Sequence, residues 1–195
     1  QVIGPLTADQ REVAAILEHN TRALQRQIVD LLNYHATVFD AGHLNRRRVS
    51  LLELLQQVAD GQRLQSQARA LNVRIEAERR QACLDPEKLG VALGNLLSNA
   101  IAFSPEGGEI VLAAHIVDDA LHIDCVDQGP GVPAADAERI FDPFVQGPLR
   151  PDHAPPGSGV GLSIVRELAA AHSGRVFLLP SRQGAHFRLE LPYEP

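Results

Sequence analysis

The chain has 195 residues, 45% hydrophobic and 22% charged, with a formal net charge of −6 at pH 7. Such a chain is too apolar for disorder and can bury roughly 70% of its unfolded surface, as one medium domain or two small ones. The negative balance argues against a nucleic-acid surface; no apolar run approaches the roughly 20 residues that cross a bilayer, and no secretory leader opens the chain. Cys83 and Cys125 form no C-x-x-C pair and sit in apolar runs, so they read as free buried thiols of a reducing compartment. Methionine is absent even at position 1, which predicts a piece of a longer polypeptide.

Thr7-Ala8-Asp9-Gln10 has the form of a capping box and predicts a helix from about Ala8. Ala14, Leu17, Thr21, Leu24, Ile28, Leu31, His35 and Val38 then alternate steps of three and four. That is a coiled-coil seam of about three heptads, broadened by Leu32 and Phe39. Gly42 supplies the stop, and Arg46-Arg47-Arg48 lies beyond it. A lone amphipathic helix cannot bury such a stripe, so it needs partner helices from this molecule or another copy; packing on its own domain is the plainer alternative.

A second box, Ser50-Leu51-Leu52-Glu53, predicts a helix through about Ala70. Val73 and Ile75 then alternate as in a strand, and Ala82-Cys83-Leu84 is a short apolar segment. Asp85-Pro86 pairs an N-cap with proline at the first helical position, and Leu89, Ala92, Leu93, Leu96, Leu97 and Ala100 give that helix its buried face before Ser104-Pro105 ends it. Strands over 109–117 and 121–126 form a hairpin through Asp118-Asp119. A short helix is expected over 135–140, then a longer one from after Gly159 to about Ala171, terminated by Gly174. Strand 175–179, a turn over 181–184 and the alternating Phe187, Leu189 and Leu191 close the chain. The sum is α+β: a coiled-coil-like helical segment (1–48), then a two-layer α/β sandwich (49–195), its mixed sheet carrying helices on one face.

Four short elements carry the chemistry. Asn95 and Asn99, within Asn95-Leu96-Leu97-Ser98-Asn99-Ala100, lie four apart and project from one helix face, where carboxamides can ligate a hard cation. In Asp127-Gln128-Gly129-Pro130-Gly131 a carboxylate at a strand end can accept a hydrogen bond from an exocyclic amine, while two glycines let the backbone pass close to a flat ring. Ile140-Phe141-Asp142-Pro143-Phe144 is an aromatic clamp. Gly157-Ser158-Gly159-Val160-Gly161-Leu162 runs into a helix N-terminus, where free N–H groups and a positive dipole end suit phosphates. Singly, these also read as a solvated Asn pair, a tight turn, a hydrophobic loop anchor and a common glycine triplet. In this order they are specific.

These residues resemble the N, G1, F and G2 boxes of bacterial sensor histidine kinases, members of the GHKL ATPase superfamily. Leu84-Asp85-Pro86 leading to Asn95 through Ala100, and Gly174 after the last helix, are similar to that family as well. Asp30-Leu31-Leu32-Asn33-Tyr34 resembles the second helix of its dimerisation and histidine-phosphotransfer hairpin. The resemblance implies the Bergerat ATP-binding fold and, as ligands, ATP and Mg²⁺. It implies that Asp127 reads the adenine amine, Asn99 holds Mg²⁺ and Asn95 assists. Gly129 and Gly131 would shape the adenine side, and Gly157, Gly159 and Gly161, with Leu162, the triphosphate. Phe141 and Phe144 would anchor the lid between them, a stretch from 142 to 158 with five prolines and two glycines. That composition predicts mobility without nucleotide and order with it. Arg150 and His153 are lid residues without an assigned role.

The resemblance further implies a response-regulator partner and a homodimer in the longer protein. It places the chain in the cytoplasmic portion of a bacterial inner-membrane sensor, tethered only through upstream segments. Two positions depart from the family: Ala102, where a basic residue often neutralises phosphate, and Ala185, where a threonine often supports the adenine aspartate. None of the eight histidines has the family's His-(Glu/Asp)-x-x-x-Pro context. His19 precedes Asn20-Thr21-Arg22, and His35 lies on the apolar seam as a packed core or interface residue, so the phosphoacceptor is expected upstream of Gln1. An ATP hydrolase of the gyrase kind would need a glutamate base at Asn95, and a carboxamide cannot take a proton from water. The alternative that remains is a nucleotide-binding dimerisation or regulatory module with little or no kinase activity.

Overall fold

The computed structural model describes residue 4, residues 7–147 and residues 157–194. Arg150 and His153 lie outside the described residues. Helix α1, Ala8–Ala41, begins at the expected capping box, with the Gln10 amide on the Thr7 side chain and the Gln10 side chain on the Thr7 amide. Leu17, Leu24, Ile28 and Leu32 are about half or more exposed, and Phe39 is 86% exposed. The stripe is therefore open along most of α1. Only its end turns inward, where Tyr34 packs against the core and Ala41 is buried.

A short strand, β1 (Arg47–Ser50), follows, which the sequence pattern does not announce. It pairs antiparallel with β3 (Gln81–Leu84) as a separate two-stranded sheet, so the 48/49 boundary falls within it. The helix expected from Ser50 to Ala70 is two helices, α2 (Leu51–Gly61) and α3 (Arg63–Ala68). The break sits at Gln62, after the flexible Gly61, where the Gln62 side chain turns to donate to Gly94 O at 2.6 Å. Helix α4 (Pro86–Phe103) and helix α5 (Gly161–Ala171) complete the helical layer. The expected helix over 135–140 is two single 3₁₀ turns, Ala134–Asp136 and Arg139–Phe141.

The main sheet has the order β2-β4-β5-β7-β6, from β2 (Asn72–Ala77), β4 (Glu109–Val117), β5 (Ala120–Val126), β6 (Arg175–Leu179) and β7 (His186–Pro192). Only β2 and β4 run parallel. Asp118 and Asp119 both take positive φ at the β4–β5 turn, the conformation a tight hairpin of matching twist needs. Period-two alternation puts Ile110, Leu112, Ala114, Leu121, Ile123, Cys125, Phe187, Leu189 and Leu191 on the inner face, all buried. Against them lies the expected face of α4, with Leu89, Leu93, Leu96 and Leu97 fully buried. Truncating any of these leucines to alanine is expected to cost about 2–5 kcal/mol. Cys125 is buried, and burial drives its thiol pKa far above normal; Cys83, expected buried, is only partly so because its short strand has one partner strand.

Helix α5 ends differently from expectation. Ser173, not Gly174, takes the left-handed conformation, with the Ser173 amide on Ala170 O and the Gly174 amide on Ala169 O. Glycine is needed at 174 for space: a Cβ there would lie 2.2 Å from Glu190 O. Just before this turn, His172 is 3% exposed. Its Nδ1 donates to Leu168 O at 2.8 Å, and its Nε2 accepts the Asp85 amide at 3.3 Å, so the ring is neutral. Burial holds its pKa below the ordinary histidine value, against the opposing effects of the Leu168 hydrogen bond and the Asp85 charge. The unfolded chain therefore binds this proton more readily. Stability is expected to be full above about pH 6.5 and to fall as pH drops below it. Urea denaturation of wild type and His172→Gln over that range checks this, with a flatter profile expected for the variant.

Candidate nucleotide site

Asp127 follows the last residue of β5, 5% exposed. The Gly129 amide donates to its Oδ1 at 2.8 Å and the Ala185 amide to the same oxygen at 3.0 Å. Among the described residues, Oδ2 receives no hydrogen bond. Burial raises the Asp127 pKa, and the two amides offset part of that rise. The result is a desolvated carboxylate with one oxygen fixed and the other available to a donor. Ala185 has no side-chain donor, and it supports the carboxylate through its backbone amide.

The glycines around Asp127 have steric reasons. A Cβ on Gly129 would lie 2.8 Å from Phe103 O, and one on Gly131, at φ +76, would lie 2.9 Å from Gly184 O. Gly184 is more constrained still, since at φ +69 its Cβ would sit 1.9 Å from Asp127 O. Sequence reasoning placed Gly184 only in a turn. Its role comes from the β6–β7 loop closing on a strand end 57 residues earlier, and no local pattern reports that.

Asn95 and Asn99 lie half-buried on α4 as expected, but they are not equivalent. Asn95 Nδ2 donates to Val91 O of its own helix at 2.9 Å, and its Oδ1 faces Gly161, where a Cβ would approach to 2.9 Å. Asn95 thus packs α4 against the start of α5. The Asn99 carboxamide makes no side-chain hydrogen bond among the described residues. Helix α5 starts at Gly161 after Val160 with no side-chain cap, so its first amides stay open to an acceptor. Leu162 is partly buried against the core.

Of the aromatic pair, Phe141 is 5% exposed and meets Phe187 edge to face at 6.2 Å. Phe144, expected beside it as an anchor, is 52% exposed. Its φ of +65 turns the ring outward, and the join is made by its backbone, whose amide donates to Gly159 O at 2.9 Å. Gly159, at φ +78, has no room for a Cβ there, 2.8 Å from Val145 O; Gly157 has open space. The structure thus gathers Asp127, Gly129 and Gly131 in one turn, and Asn95, Phe144, Gly159 and Gly161 around the start of α5.

Residues 84–195 match the family described as histidine kinase-, DNA gyrase B- and HSP90-like ATPase, and the chain belongs to that family. It is 34% identical over 193 residues to the sensor histidine kinase GlrK of Escherichia coli (strain K12), covering 98% of this chain and 40% of GlrK. The chain thus spans well under half the length of that relative. Among solved structures it is similar to full-length ShkA in complex with AMPPNP, with a TM-score of 0.75 and 30% identity over 97% of this chain and 40% of that one. The histidine kinase ThkA, solved with the response regulator protein TrrA, shares the fold at a TM-score of 0.72 and 21% identity, covering 99% of this chain and 54% of that one.

Gly184→Ala is expected to lose about 1–3 kcal/mol of stability through overpacking at a positive φ. Urea denaturation would measure the loss. Amide exchange at Gly129 is expected to quicken in the same variant, because the Asp127 turn must shift to admit the methyl group.

Proposed function

We propose that this chain is the ATP-binding kinase portion of a two-component sensor histidine kinase. It transfers the ATP γ-phosphate to a histidine outside this chain, and that phosphoryl group passes on to an aspartate of a response regulator. The observation that carries the reading is Asp127, desolvated, with Oδ1 held by two backbone amides and Oδ2 left to accept an exocyclic amine. In this reading Gly129 and Gly131 let the backbone approach the adenine ring. The open amides at the start of α5, with Gly157, Gly159 and Leu162, take the phosphates. Asn99 offers a hard oxygen to Mg²⁺, an ion that keeps several waters and takes further ligands from phosphate. Asn95 assists by holding α4 to α5.

Phosphotransfer fits better than hydrolysis because Asn95 cannot act as a general base. Residues 1–48 serve as part of the dimerisation and phosphotransfer hairpin. The exposed Leu17, Leu24 and Leu32 stripe is the surface a second copy covers in the longer protein. His35 is exposed on α1, its ring edge to face with Tyr34 at 5.7 Å, without the acid or proline of a phosphoacceptor box. Among the described residues no helix is long and apolar enough to cross a membrane. In this reading the chain is the cytoplasmic part of a membrane sensor.

Asp127→Asn retains an oxygen for both backbone amides and sets an NH₂ group against the amine donor. It is expected to fold normally and to weaken ADP binding by about 1–3 kcal/mol, measured by calorimetry. Equal affinity removes Asp127 from the adenine site. Incubated with radiolabelled ATP, the isolated chain is expected to bind nucleotide and take up no acid-labile phosphate. Stable labelling of His19 or His35 would place the acceptor within this chain.

A further inference from the structure

Arg69 belongs to none of the four boxes. It sits half-buried in the turn between α3 and β2, yet its guanidinium reaches the far end of α4. Nη1 donates to the carbonyls of Ile101 and, at 2.9 Å, Ala102, while Nη2 donates to Ser104 O at 2.7 Å. An α-helix leaves its last carbonyls without intrahelical partners, and the last turn of α4 has no basic residue of its own. Arg69 supplies both the donors and the cation that a helix C-terminus favours. Backbone bonds close the same seam: the Gly107 amide donates to Arg69 O at 3.0 Å, and the Asn72 amide to Gly108 O at 2.9 Å.

The carbonyl among these that Arg69 does not take, Phe103 O, is the one Gly129 packs against at 2.8 Å from its would-be Cβ. Gly129 in turn donates its amide to Asp127 Oδ1. The neighbouring Gln128 Oε1 accepts the Glu109 amide at 3.0 Å, fixing the same turn to the start of β4. One chain of contacts therefore runs from Arg69 through the end of α4 to the Asp127 carboxylate. Asn99 lies two to five residues before the braced carbonyls.

We infer that Arg69 is a positioning residue of the nucleotide site: by holding the Ile101, Ala102 and Ser104 carbonyls it fixes the end of α4 on which the Asp127 turn rests, and keeps Asn99 and Asp127 in register. The inference rests on the nucleotide reading for its functional consequence, but not for its structural one. Lysine cannot replace the fork, because a point charge on a flexible stem does not span three carbonyls in fixed geometry.

The test is Arg69→Met in the whole chain, with Arg69→Lys beside it. Without nucleotide, amide exchange at Gly129 and Ala185 is expected to quicken by roughly tenfold beyond any change at Ile123 in the sheet core. Mg²⁺–ADP binding is expected to weaken by about tenfold in Arg69→Met, and Arg69→Lys to recover thermal stability more than affinity. Exchange at Gly129 that moves only as much as Ile123 overturns the inference, whatever happens to binding. Quickened exchange at Gly129 together with unaltered ADP affinity in Asp127→Asn supports Arg69 as the brace of the turn and removes Asp127 from the adenine site instead. Should Arg69→Met fail to fold, the exchange comparison in Arg69→Lys decides in the same way.

Discussion

An α-helix carries roughly half an elementary charge at each end and leaves its terminal amides and carbonyls unpaired. Helix α4 has both ends met by charged side chains. At its start, Asp85 accepts the Glu87 and Lys88 amides at 3.1 Å each, and its other oxygen accepts the Asn45 amide at 2.8 Å. Those bonds hold the Asp85 carboxyl below the ordinary aspartate pKa, against the opposing effect of burial. At its end stands Arg69. Because α4 also supplies the leucines that face the sheet and the two asparagines of the site, fixing its ends fixes core and chemistry together.

The start of α4 also governs how α1 is joined. Lys88, the chain's single lysine, donates to the Asp40 and His43 carbonyls at the end of α1 and pairs with Asp40 Oδ2 at 3.0 Å. The Asp85–Asn45 bond and the β1–β3 pairing tie the next residues, and Arg46 reaches Glu194 at 2.9 Å. The Lys88–Asp40 charge pair, half-buried at Lys88 and exposed at Asp40, contributes little alone. What matters is that the lysine reaches two carbonyls at and just beyond the end of α1, joining it to the first turn of α4. Helix α1, which carries the coiled-coil stripe, is thereby tied at its end to α4, the helix that bears Asn95 and Asn99.

Most of this was legible locally. Capping boxes, Asp85-Pro86 and period-two alternation gave α1, α4 and the five-stranded sheet, because each signal is written within a few residues. The four boxes were legible for the same reason. What escaped reading depended on distant partners. β1 is a strand because β3 lies beside it, and its four residues show no alternation. The break at Gln62 answers to Gly94 on another helix, and Ser173 takes the left-handed turn because Gly174 is consumed by contact with Glu190. Gly184, the Ala185 amide and Arg69 act through atoms tens of residues away. All three act through, or upon, the backbone, where side-chain identity says little.

The two faces of the sheet show why the site sits at a strand end. On the outer face Asp124, 4% exposed, is held by Arg188 through two bonds of 2.8 Å and by His186 at 3.0 Å, with His115 at 3.7 Å. Those partners keep its pKa below normal although burial pushes the other way. Asp127, three residues on, is equally buried but has only two neutral amides, and its pKa rises. For Asp127 the sign is the reverse of the usual carboxylate: with a folded pKa above the unfolded one, ionisation costs stability as pH rises through that interval. In Asp124 both oxygens accept from Arg188, whereas in Asp127 only Oδ1 accepts a hydrogen bond among the described residues. The fold therefore places an aspartate with both oxygens paired within the strand and, just past the strand's end, one whose Oδ2 accepts no hydrogen bond among the described residues.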